Sequence, residues 1–307
     1  MDAIFHAIRV FFEHLAAVEW RPLAVALSLH VLKLVFRTRG WLTILSAAYP
    51  KERIRWRGVL GAYVAGVGVN AITPARGGDV VKLYLVKQRI PGSSYATLTA
   101  TLVVETLFDF VVAGLLLAWA LQQGVLPGLS VLERLPSVDW GWLLRHPRLS
   151  LALGVVVLVG AVYLVSHATR AFRHRFAEGF AVLREPRRYL YGVVSWQAAS
   201  WMCRIASTYF FLRAFGLAPD LHDALVVQVV QSLSTVLPFT PGGIGTEQGL
   251  LVFAFRGEAS ATAVVSFSVG MHLALVAANV AIGFTAIALM LRTLRWKRIV
   301  RAEEKTA

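Results

Sequence analysis

Between residues 259 and 291 the chain carries no formally charged side chain, and a run of that kind leaves few folds open. A helix needs about 20 mostly apolar residues to cross the hydrocarbon core of a bilayer, so uncharged runs of about 18 or more read as spans. Residues 149–166 and 190–203 are also free of charge. Composition agrees: 57% of the 307 residues are hydrophobic and 16% are charged, where a soluble domain carries about 25% charged. These features predict an all-α, polytopic membrane protein. Residues 1–20 mix Asp2, Arg9, Glu13 and Glu19 with apolar side chains and show no small-residue cleavage site, so no cleavable signal is expected. Residues 1–21 read instead as an interfacial amphipathic helix, with Ile4, Phe5, Ile8, Phe12 and Leu15 on one side. The lone Cys203 excludes an internal disulfide framework and a cysteine-based zinc site. No cofactor and no metal are expected.

The formal charge of +14 would suggest nucleic acid in a soluble protein, but its placement points elsewhere. The cations fall in three blocks: Arg37 to Arg57, Arg170 to Arg188, and Arg292 to Arg301. Each borders an apolar segment, as cytoplasmic loops do under the positive-inside rule. The expectation is an inner (cell) membrane protein with its basic loops and C-terminus in the cytoplasm, attracted to anionic headgroups and not to nucleic acid.

Two apolar regions are too broken to be simple spans. Residues 58–75 run into Thr-Pro-Ala-Arg-Gly-Gly-Asp at 73–79, followed by a short amphipathic piece at 80–88. Residues 224–255 hold Glu247 as their only charge and are cut by Pro238, Pro241, Gly242, Gly243 and Gly245. Proline and clustered glycine break a continuous helix. The flanking pieces have the length of re-entrant half-helices, and irregular backbone at membrane depth survives only where protein or a watery cavity satisfies it. Two re-entrant hairpins, 57–88 from the cytoplasmic side and 223–256 from outside, leave every strongly basic block on one side.

The predicted organisation is repeat 1 over 22–121 (span 22–36, hairpin, span 95–121) and a linker over 122–188 holding span 149–166. Repeat 2 follows over 189–291 (span 189–212, hairpin, span 261–291), then a basic tail at 292–307. A shift of 167 residues (241 minus 74) pairs Thr73-Pro74 with Thr240-Pro241, Gly78 with Gly245, Leu83 with Leu250 and Ala96 with Ala263. The extra crossing would invert the second half, giving the inverted repeat with discontinuous helices familiar from transporters.

Candidate functional residues cluster at the breaks and on the spans. Asp79 is placed to N-cap the helix after the first break. Arg76, Gly77 and Gly78 beside it make a helix N-terminus that suits an anion such as phosphate. At the second break, Gly242, Gly243 and Gly245 let a lipid headgroup or another backbone approach closely beside Glu247; the alternative is a tight structural bend whose Glu247 caps a helix. Glu105 and Asp109 lie four apart on one face of an apolar span. A mid-membrane charge costs about 2.5–3.5 kcal/mol, so such residues pair or line a cavity. Arg204, sharing a face with Gln197, is a candidate partner. His272 and Asn279 share a face of the last span, and an interhelical hydrogen bond is expected at His272. His30, Lys33 and Arg37 read as snorkelling residues near the cytoplasmic surface. Gly61, Ala62, Gly66 and Gly68 offer a small-residue surface for close helix packing, including that of a homo-oligomer.

These motifs resemble the lysylphosphatidylglycerol synthase transmembrane-domain family, the flippase portion of multiple-peptide-resistance factors. The resemblance rests on Asn70 to Asp79 followed by Lys82, on Glu105 with Asp109, and on Pro241-Gly-Gly-Ile-Gly-Thr-Glu247, and covers about residues 22–292. It implies a polytopic helical fold and lipid translocation between leaflets. It carries a translocation role onto Asn70, Pro74, Arg76, Gly78, Asp79, Glu105, Asp109, Pro241, Gly242, Gly243, Gly245 and Glu247. Lys82 stands where the family often has Arg, so a point charge replaces a bidentate fork. The aminoacyl-transferase domain of fused members is absent, so lysyl-lipid synthesis is not implied.

The expected function is therefore a lipid flippase or transporter and not an enzyme. Its partner would be a phospholipid or other lipid with a charged headgroup, passing through a polar cleft between the hairpins. Arg76, Lys82 and Arg204 would contact phosphate. The alternatives are a membrane-embedded transferase acting on a lipid-linked or polyprenyl-phosphate substrate, and a non-catalytic partner of a lipid-modifying enzyme. No Asp-x-Asp pair, phosphate loop or HExxH motif favours the transferase.

Overall fold

The computed structural model describes residues 18–73, 76–123, 170–236 and 245–306, and all regular structure among them is helical. Residues 1–17 of the expected interfacial helix, the crossing at 149–166, and Pro74, Pro241, Gly242 and Gly243 lie outside the described residues. In chain order the long helices are α1 (Trp20–Ala48), α2 (Trp56–Asn70), α3 (Gly77–Lys87) and α4 (Tyr95–Gln122). Then come α5 (Arg170–Glu178), a 3₁₀ turn (Ala181–Arg184), α6 (Pro186–Tyr189), a π turn (Leu190–Val194) and α7 (Ser195–Ala214). The chain continues through α8 (Leu221–Val236), α9 (Thr246–Ala254) and α10 (Ala261–Thr306). Among the described residues, α4 and the Ala261–Leu291 part of α10 are long and apolar enough to cross a membrane, with mean hydropathies of 2.0 and 2.2.

Both breaks fall where proline and glycine put them, between α2 and α3 and between α8 and α9. The expected end of the first span at residue 36 needs correcting: α1 runs 29 residues to Ala48, about 44 Å at 1.5 Å per residue. The cations at Arg37 and Arg39 suggested an exit to water. The helix continues because Trp41, Ile44 and Leu45 are fully buried beyond them, and because Arg37 has an acid to meet.

The described residues form two compact units, each assembled from separated stretches of chain. One, here the Glu105 unit, gathers Ala24–Phe108, Phe176–Ser207 and Met271–Ala307. Its core joins Trp41, Ile44 and Leu45 of α1 to Val59, Ala62 and Tyr63 of α2, and to Leu85 and Val86 of α3. Helices α2 and α3 form an antiparallel hairpin: a Cβ on Gly66 would lie 2.7 Å from the Gly78 carbonyl oxygen and 2.8 Å from Lys82 Cβ, and Gly58 faces Arg89. Gly68 meets α10 in the same way, its Cβ position lying 2.6 Å from Gly283 Cα, and Gly61 faces Met290. The small residues that the sequence offered to an oligomer are thus used within the chain: Gly66 and Gly68 admit α3 and α10 at backbone distance, and Ala62 is fully buried.

The other, the Glu247 unit, gathers the described residues of 1–23, 109–175 and 208–270. Trp119 packs edge-on against His222 at 5.3 Å, and Phe215 against Phe267 at 6.1 Å. Gln228 Nε2 donates to Thr208 Oγ1 at 2.5 Å, tying α8 to the end of α7.

Candidate functional site

The first break positions its residues through one amide side chain. Asn70, the last residue of α2, accepts the Gly78 backbone N–H on Oδ1 at 2.7 Å and donates from Nδ2 to Asp79 at 3.3 Å. The expected role of Asp79 as N-cap is therefore corrected. Helix α3 opens at Gly77 with Arg76 as its N-cap residue, so Asp79 sits inside the first turn and Asn70 satisfies one free N–H in its place. Arg76 adopts the left-handed conformation (φ 58°), uncommon outside glycine. Its side chain is 72% exposed and pairs with Asp79 at 3.1 Å.

One helix face further along lies a buried ionic cluster in the Glu105 unit. Glu105, on α4, is 2% exposed. Its Oε1 accepts from Arg37 Nε of α1 at 2.7 Å and from the Tyr63 hydroxyl of α2 at 2.8 Å. Its Oε2 accepts from Lys82 Nζ of α3 at 3.1 Å. Four helices thus converge on one carboxylate. The Lys82 ammonium also sits over the Tyr63 and Trp41 rings, at 3.9 and 4.6 Å from their centroids, a cation–π arrangement that strengthens once water is excluded. Trp41 is held by its indole N–H to Thr101 on α4 at 3.1 Å. Gln197 of α7, fully buried, donates to the Glu105 backbone carbonyl at 3.4 Å, and its Oε1 has no hydrogen-bond partner among the described residues.

This geometry revises several expectations. Arg37 is not a snorkelling residue; its side chain is 18% exposed and bound to Glu105. Lys82 does not present its charge to an incoming phosphate in this conformation, because Glu105 and two aromatic faces surround it. Arg204 stacks on Trp201 at 4.6 Å, whereas the cations on Glu105 are Arg37 and Lys82. Asp109, one turn along α4, is half-buried. Around Glu105 the carboxylate faces two cations, Arg37 and Lys82, and Asp79 lies within electrostatic reach of Lys82, so acids and cations are gathered together here.

A second polar relay joins α1 to α10. Lys33 Nζ lies 3.2 Å from His30 Nδ1, and His30 Nε2 lies 2.8 Å from Asn279 Oδ1. An ammonium can only donate, so His30 accepts at Nδ1 and its Nε2–H points at Asn279. The interhelical histidine is therefore His30; His272, expected in that role, is exposed.

In the Glu247 unit, Gly245 (φ 91°) opens α9, and its N–H donates to Gln248 Oε1 at 2.6 Å. Gln248 in turn reaches Ser268 of α10 at 3.2 Å. The capping group is Gln248, three residues into the helix, and not Glu247 as the structural-bend alternative had it. Glu247 accepts from Gln231 of α8 at 3.4 Å, which ties the two arms of this hairpin together.

Sequence reasoning missed Arg37, Tyr63 and Trp41 as members of the cluster. A signal was present for Arg37: His30, Lys33 and Arg37 recur at helical spacing on one face of an otherwise apolar segment. Nothing in the sequence marks Tyr63 or Trp41 apart from other buried aromatics.

The family model described as Lysylphosphatidylglycerol synthase TM region matches residues 5–283. A UPF0104 membrane protein of Methanocaldococcus jannaschii is 24% identical over 191 residues, covering 61% of this chain and 79% of that protein. No solved structure matches the chain.

Proposed function

Because the chain belongs to the lysylphosphatidylglycerol synthase TM region family, and is thus a membrane protein, we propose that it moves a lipid headgroup between the leaflets of a bilayer. The observation that carries this reading is Glu105 with its three partners. Glu105 lies ten residues into α4, about 15 Å along a helix rising 1.5 Å per residue and about half of a 30 Å hydrocarbon core. Charges at that depth are costly and mark substrate or ion pathways. The two cations on Glu105 suit a phosphate, with Arg37 and Lys82 exchanging the carboxylate for the headgroup as it passes. Exposed Arg76, at the opening of α3, is the first contact in this scheme. The acyl chains stay in the bilayer, and no bond is made or broken.

Helix lengths support the two re-entrant hairpins. Helix α3 has 11 residues and α9 has 9, about 16 and 14 Å at 1.5 Å per residue, half of what a crossing requires. The order of elements supports a repeat. Helices α1, α2, α3 and α4 start at 20, 56, 77 and 95, and α6, α8, α9 and α10 at 186, 221, 246 and 261. The offsets are 166, 165, 169 and 166. Multi-pass topology with cytoplasmic basic loops follows from the same scheme. Cysteines placed at Lys87 and at Arg256 in a Cys203→Ala background would then label from opposite sides of the membrane, Lys87 from the cytoplasm. Labelling of both from one side would remove the re-entrant scheme.

The functional test is reconstitution into liposomes with headgroup-labelled lipids and an external quencher. Labelled anionic glycerophospholipid is expected to cross faster than in empty liposomes, and Glu105→Gln is expected to abolish the difference. If no lipid class crosses faster, the reading fails. Glycosylated lipid formed by purified protein from a nucleotide-sugar donor would put the transferase in its place.

A further inference from the structure

The Glu105 unit holds a second feature that the ionic cluster does not use, a groove of about 580 Å³ between α2 and α10. Its walls are apolar along most of their length: Gly61 and Val64 on α2 face Ile282, Ala286, Leu289 and Met290 on α10. The helices run antiparallel here, since Gly61 meets Met290 while Gly68 meets Gly283. The groove therefore has two distinct ends. At the start of α2, beside Met290, stand Arg57 and Arg89; the far end, at Val64 and Ala281, carries no charge.

Neighbouring residues place the basic end at headgroup level. Arg39 stacks on Trp56 at 4.3 Å, and the Lys87 ammonium lies 5.1 Å from the Tyr95 ring. Aromatic side chains beside cations of this kind gather at membrane–water interfaces. From Ala281 to Met290 the groove follows α10 for about 14 Å at 1.5 Å per residue, the hydrocarbon depth of one leaflet when the whole core is about 30 Å. Arginine is the residue whose planar fork fits a phosphate.

We infer that this groove binds one glycerophospholipid. An acyl chain lies between Gly61 of α2 and Ala286 of α10, and its phosphate is held by Arg57 and Arg89. The site lies apart from Glu105 and requires only that the chain reside in a membrane, so it stands or falls independently of headgroup translocation. Its occupant fills the seam by which α10 is held to the α2–α3 hairpin, as a resident lipid and not as cargo.

The test titrates detergent-purified full-length protein with phosphatidylglycerol, or with diacylglycerol of the same chains, and counts bound lipid by native mass spectrometry. One phosphatidylglycerol per chain is expected, held at least about tenfold more tightly than diacylglycerol, a difference of about 1.4 kcal/mol. Ala286→Trp, which fills the apolar wall, and Arg57→Glu, which reverses an exposed charge, are each expected to remove that bound lipid. Helicity and thermal midpoint are checked alongside. The inference is overturned if wild-type protein retains no phosphatidylglycerol, if diacylglycerol binds as well, or if both folded variants keep the lipid. In the liposome assay, Arg57→Glu with an intact Glu105 cluster separates the two claims: loss of bound lipid with transport retained leaves both standing.

Discussion

The α2–α3 and α8–α9 helix pairs are held by different forces. In the α2–α3 hairpin, glycine brings the backbones into contact and Asn70 ties the break to α3. Lys82 then carries its charge into a buried site that Glu105, Arg37 and Tyr63 complete. In the α8–α9 hairpin the arms are joined through Gln231 and Glu247, and α9 is capped and anchored by the neutral amide of Gln248. The first hairpin is thus held by charge at a buried carboxylate that two cations share, so Glu105 is the member whose loss removes the most. The second is held by interactions that each contribute less. On the proposed function the first hairpin is the place where substrate charge would be read, since there the described structure holds two cations around one acid.

The comparison can be broken most severely at Glu105. Replacing it with Gln removes the buried acid that Lys82 and Arg37 share, and breaking a buried pair from one side costs about 3–5 kcal/mol. A large fall in the thermal midpoint of detergent-solubilised protein is expected, together with loss of lipid movement. A fall no larger than that of an exposed pair such as Arg188–Glu185 would mean that the cluster is hydrated. Alanine in place of glycine sharpens the contrast with a smaller effect and a change of sign. At Gly78 a Cβ would meet the Gly66 carbonyl and lie 2.6 Å from Asn70 N, an overpacking cost of about 1–3 kcal/mol. At Gly249 no atom of the described residues lies within 4 Å, so alanine should stabilise α9 by about 0.5–1 kcal/mol, the helix penalty of glycine. Equal effects at the two positions would show that the hairpins are not packed differently.

Much of this arrangement was legible beforehand. Proline and glycine marked the two breaks because their backbone limits act locally, and the apolar run at 95–121 matches α4, whereas that at 261–291 is the first part of a helix that runs on to Thr306. Glu105 stood out because a lone acid in an apolar helix has to be compensated. Its partners were harder to find, because compensation is a tertiary matter: Arg37 and Lys82 lie 68 and 23 residues away. Helix ends were legible only in part. Asp79 and Glu247 have the chemistry of caps, yet Asn70 reaches a free N–H from the end of the preceding helix, and Gln248 caps from the third position of its own helix. Small residues on α2 announced close packing without naming the partner, which proved to be the same chain.

The central claim is that the Glu105 cluster exists for passage of a headgroup and not for stability. Its most direct test is the triple replacement Arg37→Met, Lys82→Met and Glu105→Leu, which exchanges the ions for apolar groups of similar bulk. Such replacements commonly leave stability unchanged or raise it. The prediction is a protein that stays folded, with a thermal midpoint at or above that of the wild type, yet moves headgroup-labelled lipid no faster than empty liposomes. A folded triple variant that moves lipid at the wild-type rate would contradict it.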